Sequence, residues 1–295
     1  MKRRLLIASL LAACAVGWFG GMLFEHYVGM RRWIDWVGVD HLLLQYRARA
    51  TSDRVPVPWP SSAKGRVMVA LVFGQSNAGN SGESPGAAHA GVYEFYRGRV
   101  FEARDPLLGA EGSGGSIWLR LGARLLTQDR YDTVVLVPIA IGSSEIRRWA
   151  PGGSLNGWLM SVIGDAHASG LKFTHLLWHQ GEADAMTGTS PDEYRKQFGA
   201  LLASIRAQGV EAPIFVAQTS RCARFLPSGA IRDAQHSLID PALGIYSGPD
   251  TDTLGREARY DGCHFSTEGL DQAAELWLKS LLAATASEMK RSSIR

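Results

Sequence analysis

Short apolar runs alternate with stretches of helical spacing along most of the chain. Val67–Phe73 (VMVALVF), Thr133–Ala140 (TVVLVPIA), His175–Trp178, Pro213–Gln218 (PIFVAQ) and a segment around Gly244–Ser247 are continuous apolar runs of strand length. Between them, apolar residues recurring every three or four positions predict helices over Ser116–Gln128, Leu155–Ala168, Ser190–Gln208 and Thr267–Ala284. The third helix is signed at both ends. Ser190 stands as N-cap, Pro191 in the first turn, Glu193 three residues after the cap and Gly209 past the end. Continuously apolar strands alternating with helices predict a parallel sheet of about five strands, covered on both faces. In such sheets, functional groups gather on the loops that leave the strand ends.

The N-terminus follows another pattern. Lys2, Arg3 and Arg4 precede an uncharged stretch, Leu5 to Phe24, close to the ~20 apolar residues that span a bilayer. Its second half, VGWFGGMLF, stays apolar where a small-x-small cleavage site would fall. The pattern predicts an uncleaved single-pass anchor over residues 1–25 in a bacterial inner membrane, with the domain in the periplasm or outside the cell. A lipoprotein box ending at Cys14 (LAAC) and a cleaved secretory signal are the alternatives, and each leaves the domain outside the cytoplasm. Trp33, Trp36, Val37, Leu43 and Leu44 fall at helical spacing, and VPVPWPSS (Val55–Ser62) is too rich in proline to continue a helix. Residues 26–65 therefore read as a helical stalk and linker, 66–287 as one domain, and 288–295 as a polar tail.

Composition narrows the function classes. The chain has 295 residues, 46% hydrophobic and 20% charged, as in ordinary globular proteins. Part of the net charge of +3 sits in two short basic clusters near the N-terminus, and no basic stripe follows, so nothing suggests nucleic-acid binding.

The candidate chemistry lies at the strand ends. Gly74-Gln75-Ser76-Asn77 follows the first strand, Gly142-Ser143-Ser144 the second and His179-Gln180-Gly181-Glu182 the third; Asp261-Gly262-Cys263-His264 precedes the last helix. This set suits acyl transfer. A serine hydroxyl needs a base, a histidine serves near neutral pH, and a carboxylate fixes its tautomer. Ser76 is the candidate nucleophile, His264 the base and Asp261 its orienter. The backbone N–H groups of Ser76 and Gly142 and the Gln180 amide are the expected oxyanion donors. Glu182 is expected to support the Gln180 loop or to contact His264. Asn77, Arg147 and Trp149 are the candidates for binding substrate. His179 reads as a buried structural histidine and Asp184 as a turn or cap residue. His179, Glu182 and Asp184 make a poor metal cluster, because nothing else supplies ligands at suitable spacing. No metal or cofactor is expected. Cys14 falls in the apolar segment. Cys222 and Cys263 lie on neighbouring strand-end loops and are expected to form a disulfide, two buried thiols being the alternative.

The sequence resembles the SGNH hydrolase superfamily and, within it, the sialate O-acetylesterase-like carbohydrate esterases. The likeness rests on GQSN (Gly74–Asn77), IGSSEIRRW (Ile141–Trp149), WHQGEADA (Trp178–Ala185) and DGCHFSTEG (Asp261–Gly269). It runs from about Arg66 to the last helix. It implies a flavodoxin-like three-layer α/β sandwich and metal-free removal of acetyl groups from sugar hydroxyls. Where the family commonly has two adjacent glycines, this chain has Gly142-Ser143, which implies a less free backbone beside the oxyanion donor. The alternatives on the same fold are a non-catalytic glycan-binding or polysaccharide-assembly protein and a sugar O-acetyltransferase.

Overall fold

The computed structural model describes residues 51, 53–59, 65–222 and 227–292. The expected anchor and most of the expected stalk lie outside these residues. Among the described residues eight strands are present: β1 (Pro56–Val57), β2 (Val67–Gly74), β3 (Val92–Tyr96), β4 (Arg99–Glu102), β5 (Thr133–Ala140), β6 (His175–His179), β7 (Ile214–Gln218) and β8 (Ile245–Asp250). The α-helices are α1 (Ile117–Thr127), α2 (Ile146–Trp149), α3 (Asn156–Ala168), α4 (Glu182–Thr187), α5 (Pro191–Ala207), α6 (Gly229–Ser237) and α7 (Thr267–Ser292).

All the strands join one sheet in the order β1-β4-β3-β5-β2-β6-β7-β8. From β3 to β8 the neighbours run parallel, while β4 and β1 pair antiparallel at one edge. The two faces of β2 show how the layers are held. Met68, Ala70 and Val72 join a core with Trp118, Leu121 and Leu125 of α1 and Trp277 and Leu278 of α7. On the opposite face, the Phe73 ring lies 4.8 Å from Trp178, 6.4 Å from Trp149 of α2, and Trp178 lies 6.5 Å from Phe198 of α5. Helices thus cover both faces, because alternate residues of a strand point opposite ways and all of these are apolar.

The expected helices form, with Ser190 Oγ accepting the Glu193 N–H as the expected cap, and Ser116 Oγ caps its helix in the same way by accepting the Leu119 N–H. The sheet is wider than the five expected strands. The added β3–β4 hairpin turns through Arg97 (φ 49°) and Gly98 (φ 75°), two left-handed residues that match the twist of a two-residue hairpin.

A second correction concerns the expected linker. Pro56 and Val57 pair with Phe101 and Val100 of β4, an edge position where proline costs no ladder bond. Just before them, the buried Arg54 guanidinium donates to Glu94 (2.9 Å) and to the carbonyls of Arg104 (2.7 Å) and Pro106 (2.5 Å). Burial pushes the Glu94 carboxyl up to about 7, and the Leu108 N–H and Arg54 pull against that. Residues 53–57 therefore belong to the folded domain, which starts before Arg66.

Strand order also places the site. β2 has β5 on one side and β6 on the other, so the loops leaving β2, β5 and β6 diverge around one crevice at the carboxyl ends of the strands.

Candidate active site

The turn after β2 depends on Gly74. Its φ is 139°, and a Cβ there would stand 2.1 Å from the His179 carbonyl oxygen. That close approach lets the Gln75 N–H donate to the same carbonyl (3.2 Å). The Gln75 side-chain oxygen accepts the N–H groups of Gly181 (3.3 Å) and Ala183 (3.0 Å). The Ser76 turn is thereby fastened to the turn after β6. Ser76 opens a short 3₁₀ turn, Ser76–Ala78; as its first residue it has an N–H with no acceptor inside the turn. Trp118 of α1 steadies the far end through its indole N–H, 2.6 Å from the Ala78 carbonyl.

His264 arrives from the other side on the loop before α7. Its Nδ1 lies 2.6 Å from Asp261 Oδ2, while Asp261 Oδ1 accepts the N–H groups of Cys263 (2.8 Å) and His264 (2.7 Å). Burial raises the Asp261 pKa, but the His264 N–H, the imidazole and the Cys263 N–H outweigh it and hold the carboxyl below its ordinary value. The loop is tied to the Ser76 side at several points. Asn77 Nδ2 donates to the Cys263 carbonyl (3.3 Å), the Tyr260 hydroxyl to the Ser81 carbonyl (3.3 Å), and the Glu83 N–H to the Phe265 carbonyl (3.0 Å). Cys263 is also disulfide-bonded to Cys222, beyond β7. Buried Arg259 donates to the Cys263 and Thr251 carbonyls and lies 4.4 Å over the Phe265 ring. Asp252, after β8, accepts the N–H groups of Ser220 and Arg221 and so fixes the approach to Cys222. The Ser76 turn and the Asp261–His264 loop are thus adjoining. Among the described residues the Ser76 hydroxyl has no hydrogen-bond partner, His264 included, as is common before substrate closes such a contact.

Residues 66–283 match the family of carbohydrate esterases described as sialic acid-specific acetylesterase. The chain belongs to this family. It is a carbohydrate O-acetylesterase, a carboxylic ester hydrolase. Among solved structures it is similar to a protein of Arabidopsis thaliana, 20% identical, with a TM-score of 0.59 over 75% of this chain and 98% of the other. It is also similar to NanS, 16% identical, with a TM-score of 0.56 over 76% of this chain and 99% of that one. These likenesses carry the fold. No curated protein sequence matches the chain.

In this esterase several side chains stand elsewhere than the sequence suggested. Gln180 is fully buried and its amide turns inward. Its Nε2 donates to Asp184 Oδ2 and to the Ser144 carbonyl (3.0 Å), and its Oε1 accepts from the Tyr194 hydroxyl (3.0 Å). With both hydrogens spent there, Gln180 is no oxyanion donor in this structure; it buttresses the loops after β5 and β6. Trp149 is corrected too: it is fully buried, its indole N–H on Ser144 Oγ (2.9 Å), so it offers no face to a substrate. Asn77 is buried as well, its amide shared between Glu182 (2.8 Å) and the Cys263 carbonyl. Arg147 is half exposed and pairs with Glu145. Gly142 lies beside Ser76, since a Cβ on it would be 3.7 Å from Ser76 Cβ, but its N–H donates to Glu111 Oε2 at 2.8 Å.

Glu182 is fully buried and bonded to Asn77, with His179 at 4.0 Å. Burial raises its pKa, against the pull of Asn77. It holds the Ser76 turn through Asn77 and makes no hydrogen bond to His264. His179 packs against Phe265 and Trp277, and burial lowers its pKa to about 3, so it is a neutral core residue. Asp184 lies in α4 and caps another helix: from a fully buried position its carboxylate accepts the Ile146 N–H at the start of α2 and binds the Gln180 amide, and burial pushes it up to about 6. Among the described residues no group of three or more His, Cys, Asp or Glu is arranged to hold a metal ion. Sequence reading missed Glu111, Arg259 and Asp252, which belong to no motif; Glu111 stands just before the Gly-rich stretch Gly112–Gly115 and Arg259 two residues before Asp261, while nothing marked Asp252.

Proposed function

We propose that the esterase removes acetyl groups from sugar hydroxyls with Ser76 as nucleophile, His264 as base and Asp261 as orienter. The observation that carries this reading is the 2.6 Å His264–Asp261 contact on a loop fastened to the Ser76 turn. With Nδ1 facing Asp261, Nε2 is left to take the Ser76 proton. Ser76 Oγ attacks the acetyl carbon, and the backbone N–H groups of Ser76 and Gly142 receive the oxyanion. The tetrahedral adduct expels the sugar oxygen, which takes the proton from His264. Water, deprotonated by the same histidine, then attacks acetyl-Ser76 and releases acetate.

Tyr260 fits the sugar side of this site. It is 51% exposed, and its ring centroid is 6.3 Å from that of His264. An exposed aromatic face beside the base suits the C–H face of a pyranose. Tyr260→Ala should raise KM for an acetylated sugar several-fold and leave p-nitrophenyl acetate turnover within about twofold. Equal losses on both substrates would show a merely structural tyrosine. The reading as a whole is tested by acetate release from acetylated glycans, which Ser76→Ala should abolish; a folded Ser76→Ala protein that still released acetate would end it.

The uncharged run Leu5–Phe24 after a basic cluster supports attachment of the chain to a membrane, with the esterase domain outside the cytoplasm. No helix among the described residues is long and apolar enough to cross a membrane. Deleting residues 1–25 should move the protein from the membrane fraction to the soluble one; an unchanged distribution would refute the anchor.

A further inference from the structure

The Gly142 N–H holds a carboxylate where the reaction needs an oxyanion. Glu111 Oε2 accepts that N–H at 2.8 Å. The Glu111 backbone is fixed: its N–H donates to the Ala140 carbonyl (2.9 Å) and its carbonyl accepts from the Asn80 N–H (2.8 Å). The side chain that reaches from this fixed point to Gly142 is half-buried and has three rotatable bonds. A Cβ built on Gly142 would be 3.2 Å from Glu111 Oε2 and 3.7 Å from Ser76 Cβ, so carboxylate, donor and nucleophile share one small volume.

We propose that Glu111 is a specificity-determining residue of this site: it fills the Gly142 donor between turnovers and tells the neutral ester from the acetate anion. The inference rests on Ser76 as nucleophile and Gly142 as oxyanion donor. Any occupant of the donor must displace Glu111. A neutral acetyl ester faces only that competition. Acetate faces the competition and also the repulsion of a second carboxylate a few ångströms away, in a site partly screened from water where like charges repel more strongly than in bulk. The same repulsion drives the product out after deacylation, when water has attacked acetyl-Ser76 and the original acetyl carbonyl oxygen, now part of a carboxylate, still points at the donor. The developing oxyanion of the transition state is covalently held at Ser76 and takes the N–H once Glu111 has swung out toward solvent.

The test is product inhibition. The inhibition constant of acetate is measured against p-nitrophenyl acetate for the wild type, Glu111→Gln and Glu111→Ala, at constant ionic strength with chloride as the control anion. Both variants should bind acetate at least tenfold more tightly, with ester kcat/KM raised by a smaller factor, since the ester is relieved of competition alone, and the melting temperature within a few degrees. Unchanged acetate inhibition in both would overturn the proposal. So would a tenfold loss of ester kcat/KM in both without tighter acetate binding, which would make Glu111 a support for the Gly142 loop. Ser76→Ala is run beside them. If it is inactive and acetate inhibition is unaltered, only the role of Glu111 fails; if it is active, the assignment of the nucleophile itself fails.

Discussion

Asp261 and Glu182 are both acids near His264 and Ser76, and their surroundings give them different work. Asp261 touches the imidazole and accepts two backbone N–H groups as well. Asp261→Asn should lower kcat by about 10⁴, the cost of the corresponding change in a serine protease triad. Glu182 accepts from Asn77 through Oε1, a bond that a glutamine oxygen keeps, so Glu182→Gln should cost far less. Comparing kcat for the two variants on one acetyl ester tests the order, and the reverse ranking would make Glu182 the orienting acid. Ser143 shows strain at the same scale. Its φ is 55°, in the left-handed region that costs a non-glycine residue about 1 kcal/mol. Ser143→Gly should gain up to about that much, less the entropy glycine adds to the unfolded chain, as a higher denaturant midpoint; a lower midpoint would mean that the serine side chain holds the loop. The residues named from motif roles were readable because chemistry prescribes their type. The direction of Gln180 was not. An amide chooses among acceptors, and here Asp184, four residues on, and the Ser144 carbonyl are supplied by the folded loops around it.

The elements divide in a similar way. Buried parallel strands and capped helices announce themselves, because an apolar run or a serine ahead of a helical pattern has one stable use. The β3–β4 hairpin lacks the Asn-Gly or Asp-Gly turn that marks such hairpins; Arg97-Gly98 does the same work with a left-handed arginine. β1 was hidden by its prolines, which are tolerated only because it sits at the sheet edge. Its value lies in Arg54. Replacing Arg54 with methionine takes the cation from buried Glu94, whose carboxyl, already raised to about 7, neutralises rather than staying charged, so the cost is that of unmade buried hydrogen bonds, about 1–3 kcal/mol. Arg54→Met should lower the unfolding free energy by that order near neutral pH, and a chain begun at Arg66 should suffer at least as much. Denaturant curves that coincide with the wild type would show that the edge segment contributes nothing.

At the scale of the whole molecule, the sheet gathers residues from across the sequence. The turn after β2, the loop after β5, the Cys222 loop after β7 and the Asp261–His264 loop meet because parallel strands all end on one side and the order reverses at β2. That the strands end on one side was legible from the alternating runs; their order, with its reversal at β2, was not. The occupant of the oxyanion donor was not, since Glu111 reaches Gly142 through a contact that no local pattern encodes. The central claim is that Ser76 is a nucleophile activated by His264. Its most direct measurement is mass spectrometry of the protein after exposure to a fluorophosphonate, which labels only an activated serine. One adduct, on the peptide containing Ser76, with labelling lost in His264→Ala, is the predicted result. A wild-type protein that stays unlabelled, or that carries the adduct on another serine, would contradict the account.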